Sequence, residues 1–151
     1  MITIEEFKKK QTSKTRLIGL DLGSKRIGIS ICDEKQSIAT PFKTINRINT
    51  SELVNELKEI IRENNIKGIV IGNPINMDGT SGSSAQSVKD ISTNISKFID
   101  LPVFLWDERL STVGAFNLSS QLDVNISKKI KKIDENAAAF ILQGAIDYLN
   151  N

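Results

Sequence analysis

Short alternating apolar runs fill the first third of the chain, and longer helical repeats follow. Arg16-Leu17-Ile18-Gly19-Leu20-Asp21 is an apolar run that predicts a strand, and Leu22-Gly23-Ser24-Lys25 predicts a turn. In Arg26 to Cys32, Ile27, Ile29 and Ile31 alternate with Gly28, Ser30 and Cys32, the period of two of a strand with one bulky face. Ser37 to Ile45 predicts a third antiparallel strand, with Pro41 marking an edge or a bulge. Leu53, Val54, Leu57, Ile60 and Ile61 then repeat at helical spacing, with Ser51 placed to cap the helix and Asn64-Asn65 to end it. Lys67 to Gly72 is a nearly all-apolar strand, which predicts burial on both faces. Ser84 to Ile99 predicts a helix whose inner face is Val88, Ile91, Ile95 and Phe98, and Pro102 to Trp106 a further buried strand. A helix capped by Ser111 or Thr112 is expected to run to about Gln121. Leu122 to Ile133 reads as a basic loop, and Asp134 to Leu149 as a last helix with Ala138, Ile141, Leu142, Ala145 and Leu149 inward.

Three strands in a meander, followed by helices alternating with buried strands, predict an α/β fold. The later strands should be parallel, with right-handed crossovers, in a mixed sheet flanked by helices on both faces. At 151 residues the chain fits one domain, here 16–151, preceded by a basic arm over 1–15 with a helical turn at Ile4 to Lys10.

Composition narrows the chemistry. With no histidine, the commonest general base and every Ser-His-Asp or Cys-His arrangement are excluded. Cys32, the single cysteine, cannot form an internal disulfide and fits a core position. No apolar run approaches the roughly 20 residues of a membrane span, and the N-terminus lacks a signal-peptide pattern, so a cytoplasmic location is expected. The net charge of +2 is small. Its distribution says more, with lysines clustered at Lys8 to Lys10 and at Lys128, Lys129, Lys131 and Lys132.

Carboxylates carry what chemistry remains. Asp21 ends a buried strand, where an open sheet meets its ligands. Asp107-Glu108 follows another buried strand and reaches the same rim. Neighbours on an extended chain point opposite ways, so one of the two faces the site, and Arg109 can pair with the other or touch a phosphate. Asp134 stands where the last helix is expected to begin, as an N-cap, a metal ligand or both. The Gly- and Asn-rich segment 73–83 leaves the middle strand on this side and reads as a mobile functional loop. Three acids around one point form a site for a hard divalent cation, which would replace the missing histidine base by lowering the pKa of a bound water.

Four segments together resemble a known family: Gly19-Leu20-Asp21-Leu22-Gly23-Ser24-Lys25-Arg26-Ile27-Gly28, Gly72-Asn73-Pro74-Ile75-Asn76-Met77-Asp78-Gly79-Thr80, Asp107-Glu108-Arg109-Leu110-Ser111-Thr112, and Asp134-Glu135-Asn136-Ala137-Ala138. They resemble the YqgF-type pre-16S rRNA nucleases and Holliday-junction resolvase-like proteins of the RNase H-like superfamily. The likeness runs from about Arg16 to Leu149, and Asn73 departs from it where an apolar residue is expected. It implies a five-stranded mixed sheet of order 3-2-1-4-5 with strand 2 antiparallel. It also implies Asp21, Glu108 and Asp134 as catalytic metal ligands, and trimming of the 5′ end of pre-16S rRNA. The expected cofactor is Mg²⁺ or Mn²⁺, as two ions. Lys25, Arg26, Asn76, Thr80, Arg109, Lys131 and Lys132 are the expected nucleic-acid contacts. Expected partners are pre-16S rRNA and pre-ribosomal particles, or branched or single-stranded DNA, for a monomer or homodimer. A junction-resolving DNA nuclease and a catalytically silent RNA-binding assembly factor are the alternatives.

Overall fold

The computed structural model describes residues 1–76, 78–110 and 136–151 in full, and residues 126–135 as helix backbone. The helix expected to begin at Ser111 or Thr112 lies outside the described residues.

Five strands form one sheet: β1 (Arg16–Leu22), β2 (Arg26–Cys32), β3 (Ala39–Asn46), β4 (Ile66–Asn73) and β5 (Val103–Asp107). Their order is β3-β2-β1-β4-β5. β2 is antiparallel to β1 and to β3, whereas β4 is parallel to both β1 and β5. The order, the mixed polarity and the flanking helices are those expected of an RNase H-like fold. Pro41 is both an edge residue and part of a bulge. The β2–β3 register passes from Ile29–Lys43 to Ser30–Pro41, leaving Phe42 as the extra residue of the outermost strand.

Helices α2 (Thr50–Asn64) and α3 (Ser83–Phe98) cover one face, where Leu53, Leu57, Val88 and Ile95 meet Ile18, Leu20, Ile27, Ile69 and Ile71. The cap of α2 is Asn49 rather than Ser51: its side-chain oxygen accepts the Glu52 N–H at 2.9 Å, two residues ahead of the serine. In α3 the inner stripe includes buried Ser92 and excludes Phe98, which is 61% exposed. Ser92 fits inside because its hydroxyl donates to the Val88 carbonyl within the same helix, at 2.6 Å.

The opposite face carries α1 (Ile4–Lys10) and α4 (Ile126–Leu149). The expected basic arm holds α1, which is closed by a Thr3–Glu6 capping box and buries Ile4 and Phe7. The Phe7 ring lies 4.9 Å from that of Phe104 in β5. Ile2 N–H donates to the Val103 carbonyl at 3.0 Å, so the extreme N-terminus borders β5.

α4 starts well before Asp134, and the expected basic loop is helical from Ile126 onward. Ile126, Ile130 and Ile133 carry the apolar repeat of Ala137 and Ile141 back through the lysines, with neither Gly nor Pro to stop it. The Asp134-Glu135 pair, which resembles a helix start, lies inside the helix.

α4 lies unusually close to the sheet. A methyl group on Gly19 would sit 2.7 Å from Leu142 Cβ, and the Ser30 hydroxyl, buried beneath the helix, donates to the Ala138 carbonyl at 2.8 Å. Gln143 adds a clamp to β3, accepting from Ala39 N–H at 2.9 Å and donating to Ser37 O at 3.0 Å.

Candidate active site

Asp21 pairs with Gly28 of β2 and follows the Leu20–Ile71 pair with β4. Strand alternation puts it on the same face as Gly19, the face covered by α4. It stands at the carboxyl end of β1, half-buried, with the Gly23–Ser24 turn beyond it. That turn is held by Arg47, whose guanidinium donates to the Gly23 carbonyl at 2.6 Å and whose N–H donates to the Lys25 carbonyl at 2.8 Å.

Glu108 opens a short 3-10 turn (Glu108–Leu110) after β5. β4 separates its strand from β1, so the side chain must cross a strand to approach Asp21. Gly72 provides the crossing. A methyl group there would lie 2.9 Å from Glu108 Oε1 and 2.5 Å from Ile141 Cδ1. The Glu108 carboxylate therefore occupies the space above β4 that any other residue at 72 would fill. Burial, then the neighbouring charge of Asp21, then that of Asp107, push the Glu108 carboxyl up to about 7. Two acids from non-adjacent strands thus share one electrostatic environment.

Asp107 points elsewhere. Its carboxylate takes the Arg109 guanidinium in a forked pair, with Nη2 donating at 2.7 Å and Nε at 3.1 Å, and it also accepts the Arg109 N–H at 3.0 Å. This pairing holds Asp107 below the usual carboxylate range. The alternation that left two candidates open is thereby divided: Asp107 binds Arg109 outside, and Glu108 lies over the sheet.

The segment after β4 is a small hairpin rather than an open loop. Ile75 and Ser81 form a bridge, Asn76 N–H donates to Thr80 O at 3.0 Å, and Gly79 N–H donates to Asn76 O at 2.8 Å. Gly79 takes φ +90°, the left-handed region that glycine tolerates best. Thr80 donates to Asp78 at 2.6 Å and accepts from Asn76 at 3.1 Å, and the Thr80 bonds hold Asp78 below its ordinary pKa. Asn76 and Thr80, expected to face substrate, are exposed but bonded to each other. Arg109 lies beside this tip, where its charge also acts on Asp78.

Lys25 is exposed on the turn after β1, and Arg26 is half-buried at the start of β2. Position 134 lies one helical turn before Ala138, which is buried against the sheet. The side chains of Asp134, Lys131 and Lys132 lie outside the described residues. Among the described residues no group of three or more His, Cys, Asp or Glu side chains is arranged for a metal. Of the three expected acids, the side chains of Asp21 and Glu108 are the two that the described residues include. Beside the Gly23 turn, on the α3 side, Leu22, Ser24, Arg47, Ser83, Ser84 and Ser87 line an open cleft of about 460 Å³. Sequence reasoning missed Arg47 and Gly72. Arg47 lies in no motif, Gly72 opens a family-like segment without a role read for it, and both act through neighbours that only the sheet order supplies.

Solved structures share this RNase H-like sheet. RuvC of Thermus thermophilus in complex with a Holliday junction substrate superposes with a TM-score of 0.54 at 9% identity, covering 89% of this chain and 94% of that one. The yeast mitochondrial Holliday junction resolvase superposes at 0.53 with 12% identity, covering 97% and 84%. The chain belongs to the RuvX Holliday junction resolvase family, whose profile matches residues 15–148. It is a hydrolase acting on ester bonds. A relative from Pelagibacter ubique, named "Putative pre-16S rRNA nuclease", is 76% identical over 151 residues and all of both chains. One of the same name from Chelativorans is 42% identical over 149 residues, covering 99% of this chain and 93% of that one. Among the described residues no helix is long and apolar enough to cross a membrane.

Proposed function

We propose that this chain is a divalent-metal-dependent nuclease that trims the 5′ end of pre-16S rRNA in the cytoplasm, with Asp21, Glu108 and Asp134 as its catalytic acids. The observation that carries this reading is the Glu108 carboxylate lying over Gly72 within the field of Asp21, its pKa raised to about 7. Hard oxygen donors held together at a sheet rim fit Mg²⁺ or Mn²⁺, and a cation between them would relieve the repulsion that lifts Glu108. When bound, such ions supply a water of lowered pKa and stabilise the charge on the leaving oxygen.

The chain's own residues do the rest. Asp21 is fixed by the β1–β2 ladder and presents its charge at the rim. Glu108 is steered inward because Arg109 holds Asp107 outward. Ser30 and Gly19 seat α4 close to β1, which brings position 134 toward the same rim. Lys25, Arg26, Arg109, Lys131 and Lys132 are the proposed phosphate contacts, and Asn76 and Thr80 offer polar edges from the hairpin. A second reading, cleavage of branched DNA, is favoured by the family description and by the RuvC-like fold.

The test sets a pre-16S 5′-extended RNA beside a four-way DNA junction, each with Mg²⁺ or Mn²⁺, for wild type and Asp21→Asn. Cleavage of the RNA by wild type, lost in the variant, is expected. Junction cleavage alone would move the substrate to DNA. Equal activity in the two proteins would remove the acids from catalysis.

A further inference from the structure

The apolar repeat of α3 predicts Phe98 inside, yet its ring is 61% exposed at the helix end away from the acids. It stands between two clefts that share Phe98 and Lys58. The smaller, about 320 Å³, lies between α2 and α3 and is lined by Thr50, Ser51, Asn55 and Asn94. The larger, about 590 Å³, continues past Arg62, Asn65 and Lys67, with Asp100 its one acid. No ion pair among the described residues engages Lys58, Arg62 or Lys67.

We propose that this face is a second nucleic-acid site, which takes single-stranded RNA with one base stacked on Phe98 in the smaller cleft and the backbone drawn over Lys58, Arg62 and Lys67. The inference rests on the nucleic-acid substrate proposed above and deepens it. An open aromatic face beside unpaired cations is the arrangement that binds single strands, because every base has a face to stack and every linkage a charge to meet. The amides of Asn55 and Asn94 offer both donors and acceptors to a base edge. A protein partner fits less well. Phe98 is the one large apolar side chain exposed among the lining residues, whereas a stable protein interface needs about 800 Å² on each side around an apolar centre. α3 runs from Ser83 beside the Gly23 turn to Phe98, and its 16 residues span about 24 Å. A strand held at both ends of that helix would have its Phe98 anchor well away from the bond to be cut. Phe98 would then set affinity for long substrates and leave the chemistry untouched.

The experiment measures binding of an unstructured, fluorescein-labelled RNA of about 20 nucleotides by anisotropy in EDTA. Wild type is compared with Phe98→Ala, Phe98→Trp and the pair Lys58→Ala/Arg62→Ala. The expected results are a loss of about fivefold or more for Phe98→Ala, retention by Phe98→Trp, and a salt slope about 0.7 smaller for each cation removed. KM for a long substrate should rise in Phe98→Ala while kcat holds. Wild-type affinity in Phe98→Ala and in the lysine–arginine pair would overturn this site and leave the nuclease reading standing. No RNA binding by wild type would overturn this site too, while the nuclease reading stands or falls on the cleavage assay with Mg²⁺ or Mn²⁺. A fall from dimer to monomer in Phe98→Ala, with RNA binding unchanged, would assign the face to a second copy and overturn the proposal.

Discussion

Replacing Glu108 by Gln should change how stability depends on pH. In the folded protein the Glu108 carboxyl is displaced from 4.5 to about 7 by burial, then by Asp21 and Asp107. At about 1.4 kcal/mol per pKa unit, this sets a ceiling of roughly 3 kcal/mol. Glu108 is only half-buried, and solvent screening reduces the figure to about 1–2 kcal/mol. The sign follows from proton uptake. Between 4.5 and about 7 the folded state holds the Glu108 proton that the unfolded state has released, so stability falls as pH rises through this window. The contribution is fully present below 4.5 and lost above about 7. Urea denaturation in EDTA, run from about pH 4 to pH 8 on wild type and Glu108→Gln, isolates it, because titrations uncoupled from Glu108 cancel in the difference. The variant should gain about 1–2 kcal/mol on wild type between the two ends, a midpoint shift of roughly 0.5–1 M. Asp21→Asn should flatten part of the wild-type slope. A difference between wild type and Glu108→Gln that stays constant across the range would refute the shared environment of the two acids.

Gly72→Ala should cost about 1–3 kcal/mol through overpacking against Ile141, and it should lower activity beyond that loss by displacing Glu108; thermal melts and a cleavage assay compare the two effects. Ser30→Ala removes a buried second donor from the Ala138 carbonyl, which keeps its helical N–H, and should lower stability by about 0.5–1.5 kcal/mol, read by urea denaturation. Arg109→Ala should change stability by under about 1 kcal/mol, since Asp107 and Arg109 are partly solvated, while freeing Asp107 to compete at the rim; an altered Mn²⁺ titration by calorimetry would reveal that competition. Replacing Lys131 and Lys132 by Ala should reduce the salt slope of RNA binding by about 0.7–0.9 for each lysine that meets a phosphate, and an unchanged slope removes them from the interface.

Much of the fold was legible because its strands announce themselves locally. The isoleucines of β2 alternate cleanly, and β4 and β5 are short apolar runs ending in Asn73 and Asp107. Strand order was another matter, and it came from the family likeness. The misread features depend on partners distant in sequence or on choices between near neighbours. Ser51 is a good cap by type, but Asn49 reaches the Glu52 N–H first. Phe98 keeps the helical repeat, but α3 turns Ser92 inward and lets its own carbonyl satisfy the hydroxyl. The start of α4 was hidden because lysines dilute its apolar repeat and Asp134 resembles a cap. At the site, sequence spacing brought acids to one rim and could not choose between Asp107 and Glu108. That choice depends on Arg109 and on the missing side chain at Gly72, in different parts of the sheet rim.

Docking of α1 has a consequence for the order in which the molecule assembles. The Lys8 ammonium donates to the Tyr148 carbonyl, 140 residues away, and lies 5.0 Å from the centre of the Tyr148 ring. Phe7 waits on Phe104, and Ile2 on Val103. Residues Ile2, Phe7 and Lys8 therefore wait for Val103, Phe104 and Tyr148, which are made about 100 to 140 residues later. The β1–β2–β3 meander, whose pairings are near in sequence, can close early, whereas α1 is a latch that engages last.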